Sequence, residues 1–162
     1  MPSIIPRIEV AVFEALERAV QDPDSPLHGV EVLFGPPTGP APGEYIAVGA
    51  SVDDDPFGSE SSRNVQTFPV TNPTAIKEEF QLKILVDHLG AAETDPKPSY
   101  LRVGEMADAV EDALGEDVTF GSLVQHGLIV RRRSYAYREA KRRGARVQLD
   151  FAGVARRGVT ST

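Results

Sequence analysis

The first regular pattern along the chain is helical. Apolar side chains at Ile8, Val12, Leu16 and, one step out of phase, Val20 form a stripe, and acidic residues occupy many of the positions between them. This spacing places the apolar residues on one face of a helix. Pro6 suits the first turn of a helix, where no backbone N–H is needed. The pattern therefore predicts a helix that begins near Pro6 and ends near Val20.

A second helical pattern occupies residues 100–115. Its apolar positions are Val103, Ala107, Val110 and Leu114, which recur at helical spacing. Ser99 is a residue type that caps helix N-termini, and Gly115 is typical of a helix end. We expect an amphipathic helix capped by Ser99 and ended by Gly115.

Strict alternation of side-chain type predicts strands. The clearest segment is 78–89, where one face would carry Phe80, Leu82, Ile84 and Val86. His88 continues that face and is expected to be partly buried. Shorter strands are expected at 30–35 and 44–52, and the residues 122–139 and 145–155 also have extended patterns. The loops at 35–43 and 53–75 are long, and within the second, residues 53–64 are predicted to form a polar acidic loop.

The end of the chain permits two interpretations. A hairpin closed at Gly144 would join the last two strands. Alternatively, residues 135–143 form a short helix that is capped by Ser134 and ended by Gly144. Alternation that continues through the residues Arg131, Arg133, Tyr135 and Tyr137 favours the hairpin.

These elements predict one domain, 1–162, with the order α-β-β-β-α-β-β. The expected fold class is α+β: a mostly antiparallel β-sheet with two helices packed on one face and long irregular loops.

Candidate chemistry is sparse in the sequence. Cysteine is absent, which excludes disulfides and thiolate chemistry. The three histidines, His28, His88 and His126, are isolated, and no nucleophile-elbow or phosphate-loop motif occurs. Asp53–Asp55 could coordinate a cation, but the pattern lacks the glycine and distal glutamate of an EF-hand loop, so a solvated turn is favoured. We expect no enzyme activity, no cofactor, no metal site and no signal peptide or membrane span.

Charge divides the chain into two parts. Residues 131–162 carry ten basic and two acidic residues, a net +8, and the rest of the chain carries −15 against a total of −7. The candidate site residues lie in this basic part and are Arg131, Arg132, Arg133, Tyr135, Tyr137, Arg142, Arg143 and Arg146. Arginine beside tyrosine is suited to nucleic-acid contact. The sequence pI of about 5.0 favours a protein interface over nucleic-acid contact, and both hypotheses stay open.

The order of elements resembles a family of phage virion proteins. The matching segments are the helix "IEVAVFEALERAV", the strand "EEFQLKILVDHLG", the helix "LRVGEMADAVEDAL" and the closing pair "LIVRRRSYAYRE" and "ARVQLDFAGVA". Together they are similar to the tail terminators of long-tailed, siphovirus-like phages and to the related head–tail joining (tail completion) proteins. The resemblance covers nearly the whole chain as a pattern of elements, without a signature motif.

The resemblance implies a non-enzymatic structural protein of the tail–neck junction of a virion, made in the host bacterial cytoplasm. It implies a ring, usually a homohexamer, that caps the head-proximal end of the tail tube and stops its polymerisation. The implied partners are the tail tube protein and the head-completion or connector (stopper) protein, with genomic DNA passing through the lumen without being read, and no membrane. The eight candidate residues would then form a subunit or neck interface. The alternatives are another neck, tube or adaptor subunit, and a small DNA-binding protein that uses residues 131–146.

Overall fold

Two helices and six strands make up the part of the chain that the structure describes. A computed structural model describes residues 3–40, 42–50, 58–67, 74–92, 95–139 and 142–159. The elements are α1 (Ile5–Gln21), β1 (Glu31–Phe34), β2 (Glu44–Val48), β3 (Ser59–Thr67), β4 (Thr74–Ala92), α2 (Lys97–Gly115), β5 (His126–Glu139) and β6 (Arg142–Val159).

The described strands form a single sheet around a long central ladder. The strand order is β1-β2-β4-β6-β5. β3 also pairs with β4, along residues 74–82, whereas β2 pairs with residues 84–88. The β4–β6 ladder runs from Thr74 opposite Val159 to Ala92 opposite Arg142. Every pairing is antiparallel except that of β1 with β2. The predicted mostly antiparallel sheet is therefore confirmed.

Both helices pack on the same face of this sheet, as predicted. In α1 the buried side chains are Ile8, Val12 and Leu16, and Val20, the fourth residue of the predicted stripe, is partly buried. The strand residues that meet the helices in one core are Phe80, Leu82, Ile84, Val86, Val147, Leu149 and Phe151. The apolar faces predicted for α1 and β4 are confirmed, and so is the α+β class.

The helix α2 begins earlier than the sequence pattern predicted. Its N-cap is Pro96, and the Lys97 N–H donates to Oδ1 of Asp95 over 2.9 Å. Prolines fit the first turn of a helix, so Pro98 does not prevent this earlier start. The predicted capping role of Ser99 is wrong, because Ser99 lies inside the helix and its hydroxyl donates to the carbonyl oxygen of Arg143.

One strand was not predicted. Residues 59–64, expected as part of an acidic loop, lie in β3, which pairs with β4 from Ser59 opposite Leu82 to Thr67 opposite Thr74. Backbone pairing with β4 holds this strand, and burial of a side-chain face does not. The run Ser59–Arg63 therefore shows no alternation of apolar residues. Asp53–Asp55, the candidate cation ligands, lie outside the described residues.

The Pro- and Gly-rich segment 35–43 has a topological role. It joins β1 to β2, which run parallel with Glu31 opposite Tyr45 and Phe34 opposite Val48. A parallel pair requires the chain to return to the starting end of the first strand. For a four-residue strand this distance is only about 13 Å, which an irregular loop spans without a helix. The predicted irregular structure of this segment is confirmed for its described residues.

The end of the chain forms the predicted hairpin, and the rival helix is excluded. Tyr137 lies opposite Gly144, and Glu139 lies opposite Arg142. The predicted role of Gly144 as the turn residue is wrong, since it is inside β6. A Cβ at Gly144 would collide with the Tyr137 ring, so the close cross-strand approach explains the glycine.

A buried carboxylate fixes the start of α1 to the sheet. Glu78 of β4 is 3% exposed. Its Oε2 accepts the Ile4 N–H over 3.0 Å, and its Oε1 accepts the Ser3 hydroxyl over 2.6 Å. Burial raises the pKa of Glu78, but these hydrogen bonds and the nearby Arg63 outweigh it and hold the pKa below 4.5. Glu78 thus satisfies backbone and side-chain donors at the beginning of the helix.

We expect Glu78→Gln to lower the free energy of unfolding by about 1–2 kcal/mol at pH 7, because one of two acceptor oxygens is lost. Since the folded-state pKa is lowered, the stabilisation is complete above 4.5 and is lost as pH falls through the folded value. Urea unfolding at pH 7 and at about pH 3 measures both effects.

The neighbouring Glu79→Gln is the matched control. Glu79 is exposed and pairs with Lys77 on the strand surface, so its removal leaves no buried donor unsatisfied. Equal losses in the two variants, or a Glu78 effect that persists in acid, would contradict the anchoring role.

Candidate interface on the β5–β6 hairpin

A β-bulge determines which face each basic residue of β5 occupies. Ile129 lies opposite Phe151, whereas Arg131 lies opposite Asp150, which leaves Val130 as the extra residue. A bulge of one residue reverses the alternation of the strand. Beyond it, Arg131, Arg133, Tyr135 and Tyr137 lie on the sheet face opposite the helices, as the predicted alternation requires. The helix face of this part of β5 carries Arg132, Ser134 and Ala136.

On the face without helices, Asp87 organises a cluster of polar side chains. This residue of β4 is 1% exposed. Its carboxylate accepts hydrogen bonds from the hydroxyl of Tyr137 over 2.7 Å, from that of Tyr45 over 3.4 Å and from Nε of Arg146. The Arg146 guanidinium carbon also lies 4.3 Å from the centroid of the Tyr137 ring. We call these four residues the Asp87 cluster.

The electrostatics of the Asp87 cluster keep the donors around Asp87 protonated. Burial first, and the Asp87 charge second, raise the pKa of Tyr45 to about 12. Burial and the hydrogen bond to Asp87 likewise raise the pKa of Tyr137. Burial lowers the pKa of Arg146, but the hydrogen bond and charge of Asp87 outweigh it and raise the pKa overall. Tyr45, Tyr137 and Arg146 therefore keep their protons, and with them their donor groups, across physiological pH.

Sequence reasoning missed Asp87, which it placed on the polar side of β4. Asp87 lies directly opposite Arg146 in the β4–β6 ladder. Opposite charges on facing residues of antiparallel strands are a recognisable pairing signal. The signal is usable only after the register of β4 and β6 is known.

Other predicted site residues have partners within the chain. Arg132 binds Asp108 of α2 and the carbonyl oxygen of Gly104. Arg142 donates to the carbonyl oxygens of Gly90 and Leu89 over 2.8 and 3.0 Å. These contacts attach the hairpin to α2 and to the end of β4.

The remaining predicted residues differ in exposure. Arg131 is exposed and has no ion-pair partner among the described residues, while Arg133, Tyr135 and Arg143 are partly buried. All eight predicted residues therefore lie on one hairpin, but only part of their charge faces outward. Their role at a subunit or neck interface stays a prediction.

A second ionic cluster lies at the end of β4 nearest the hairpin turn. Glu44 accepts hydrogen bonds from Arg102 over 2.7 Å, and its Oε2 lies 3.0 Å from Nδ1 of His88. Burial raises the pKa of Glu44, but Arg102 outweighs it and the pKa is lowered overall. The predicted partial burial of His88 is confirmed. The cluster is an ion-paired support for α2 and contains no nucleophile.

The helix face presents the opposite charge. A groove of about 750 Å³ between α1 and α2 has alanines along its floor, and the acidic residues at its rim are Glu14, Asp22, Asp112, Glu116 and Asp117. Arg18 is a basic residue in the same lining. Across the described ranges, no group of three or more His, Asp or Glu side chains is arranged to hold a metal ion. No described helix is long and apolar enough to cross a membrane.

Comparison with known proteins gives a structural match. No protein-family model and no curated protein sequence matches this chain. The fold is similar to that of a chain in a structure described as the virion of native gene transfer agent (GTA) particle. The TM-score is 0.56 at 18% sequence identity, over 97% of this chain and 100% of the other. The likeness extends through both chains and shows a shared fold.

We expect Tyr137→Phe to lower the free energy of unfolding by about 1–2 kcal/mol, because a hydrogen bond to a buried charged acceptor is lost. Chemical denaturation followed by circular dichroism measures the change. Tyr100→Phe is the matched control, since Tyr100 is 44% exposed on α2.

The coupling to Asp87 can be tested separately. In a double-mutant cycle with Asp87→Ala, which removes the acceptor, the Tyr137→Phe loss should largely disappear. Additive losses would show that the Tyr137 hydroxyl does not act through Asp87.

Proposed function

We propose that this protein is a structural component of a phage-like virion, and specifically a ring-forming tail terminator. The observation that carries the proposal is the fold shared, end to end, with a chain from a gene transfer agent virion. The finer role comes from the resemblance of the element order to tail terminators. In this role a homohexameric ring caps the head-proximal end of the tail tube, stops its polymerisation and provides the surface for the head connector.

The distribution of charge supports assembly into a closed ring. Acidic side chains cover the helices and the groove between them, whereas the β5–β6 hairpin is basic. A heterologous interface uses two different surfaces of each subunit and closes into a ring when the rotation allows. Opposite charges on those surfaces favour head-to-tail contact and disfavour contact between like faces.

The proposed partners follow from the position of such a ring. One side of the ring would contact the tail tube protein, and the other the head-completion or stopper protein. Genomic DNA would pass through the lumen without base-specific contacts. Neither catalysis nor a cofactor is part of this proposal, and the protein would reside at the tail–neck junction after synthesis in the bacterial cytoplasm.

Two alternatives predict different behaviour. A tube or adaptor subunit would share the fold but polymerise into long cylinders, which negative-stain images separate from single rings. A DNA-binding protein would use the exposed Arg131 and its neighbours and would bind duplex DNA with a steep salt dependence. Arg132 and Arg146 already bind carboxylates of the same chain, which leaves less free positive charge for DNA phosphates. These contacts favour the assembly role over DNA binding.

We expect the variant Arg131→Glu to weaken ring assembly while the monomer stays folded. Arg131 is exposed on the hairpin and has no ion-pair partner among the described residues. Native mass spectrometry measures the oligomer, and electron microscopy of tails produced with the variant measures tail length. The expected results are loss of the ring and tails of uncontrolled length.

Arg7→Glu is the charge-matched control. Arg7 is exposed on α1, and its substitution changes the net charge by the same amount. Intact rings and normal tails in the hairpin variant would reject the interface role. Duplex binding in a gel-shift assay, abolished by the hairpin variant only, would favour the DNA-binding alternative.

A further inference from the structure

A long groove follows one side of α1 on the outer surface of the helix layer. Its first part, of about 750 Å³, lies between α1 and the C-terminal half of α2. Its second part, of about 710 Å³, lies between α1 and the segment 120–123. Four residues line both parts: Ala11, Glu14, Phe120 and Gly121. The two parts therefore form one groove, which we call the helix groove. From Arg7 to Asp22 it runs about 22 Å along α1.

The floor of the helix groove consists mainly of small apolar side chains. Ala15 and Ala19 of α1 line it on one side, and Ala109 and Ala113 of α2 line it on the other. All four are partly buried against the core. Near the start of α1 the lining includes Val10, which is 44% exposed. Alanines on two neighbouring helices leave room for the larger apolar side chains of a third helix, as ridges fit into grooves in helix packing.

The rim of the helix groove between α1 and α2 is strongly acidic. Its charged residues are five acids and one arginine: Glu14, Asp22, Asp112, Glu116, Asp117 and Arg18. All six are exposed, and none of them forms an ion pair with another described residue. Carboxylates on both walls that are not neutralised from within attract a segment rich in lysine and arginine.

The walls of the helix groove favour a helical occupant over an extended one. A peptide that binds as a strand uses open backbone groups, such as those at the edge of a sheet. The walls here are α1 and α2, whose backbone groups bond to each other within each helix. An extended peptide would lose its hydrogen bonds to water without replacing them, whereas a helix satisfies its own backbone and contacts a groove through one apolar face.

The described part of a second copy does not supply such a helix. Both of its helices bury their apolar stripes against their own sheet, and both carry more acidic than basic residues. The strands of its basic hairpin end at Glu139 and Arg142, level with Ala92 of β4. The paired strands therefore do not project as a finger that could enter a groove. The occupant that fits is a helix of another protein.

We propose that the helix groove binds an amphipathic helix of a partner protein, with lysine or arginine beside its apolar stripe. The apolar stripe lies on the alanine floor, and the basic side chains reach the carboxylates on the two walls. This inference goes beyond the proposed function, because the contact does not require a ring. Exposed acidic residues outside the groove, such as Glu17 and Asp24, stay available to the basic hairpin of a neighbouring copy.

The test uses three fluorescein-labelled synthetic peptides of about 15 residues, which is the length of the groove. The first has leucines at helical spacing with lysines beside them. The second has glutamate in place of each lysine, and the third has two central prolines that prevent a helix. In fluorescence anisotropy with the full chain, the first peptide should bind roughly tenfold or more tightly than either of the others.

Variants of the chain locate the binding site. Glu14→Lys/Asp112→Lys reverses the charge at two exposed rim positions and should weaken binding of the first peptide roughly tenfold or more. Glu17→Lys/Asp24→Lys is the matched control, because it changes the net charge equally at exposed positions outside the groove. This control should bind almost as the wild type does.

A second pair of variants tests the floor. Ala15→Phe fills the helix groove and should also weaken binding of the first peptide, whereas Ala136→Phe adds the same ring at an exposed position on β5 and should not. Circular dichroism shows whether each variant is folded. The rim variant changes only exposed side chains, so it tests the site even if Ala15→Phe does not fold.

The outcomes separate this inference from the proposed function. Equal binding of the lysine and glutamate peptides would overturn the basic occupant, and equal binding of the proline peptide would overturn the helical one. Unchanged binding in the rim variant, or in a folded Ala15→Phe variant, would place the peptide outside the groove and overturn the site. A wild-type chain that binds no peptide, with rings that the rim variant loses, would show that a second copy covers the groove instead. A monomeric wild type that binds the lysine peptide would overturn the ring and leave this inference standing.

Discussion

The antiparallel ladder between β4 and β6 is the interaction on which the rest of the structure depends. It pairs residues from Thr74 opposite Val159 to Ala92 opposite Arg142. One face of the ladder carries the apolar residues against which both helices pack. Its other face carries the Asp87–Arg146 pair, and the remaining strands extend the sheet from its two sides. A shift of one residue would exchange these faces and place charged side chains under the helices.

Because the helices cover one face only, the other face is stabilised differently. Three polar side chains of β4 and β6 are nearly inaccessible there, at 0–3% exposure: Asp87, Gln148 and Asp150. Burial of polar groups is costly unless they are hydrogen-bonded. In the Asp87 cluster, two tyrosine hydroxyls and one guanidinium meet that requirement. The cluster also binds β2, β4, β5 and β6 together through side chains, so the basic hairpin is held firmly to the sheet.

Sequence periodicity predicted the elements that bury an apolar face, and it did so because burial selects side-chain types. The stripes of α1 and α2 and the inner face of β4 belong to this group. It did not predict β3, whose Ser59–Arg63 run is held by backbone pairing, which leaves no mark on side-chain pattern. Ser99 and Gly144 were assigned local roles that long-range contacts overrode, with Arg143 and Tyr137 respectively. Asp87 required knowledge of the strand register.

The same reasoning changes the interpretation of the basic segment 131–146. As a sequence it is a block of uniform charge, but in the fold Arg146 is held by Asp87, Arg132 by Asp108, and Arg142 by backbone carbonyls. Much of its charge therefore stabilises the subunit before any partner arrives. Charge that remains outward, such as Arg131, gives orientation and association rate more than affinity. Affinity for a protein partner comes mainly from apolar surface, and among the described strand residues Phe34, Leu128 and Val130 expose such surface.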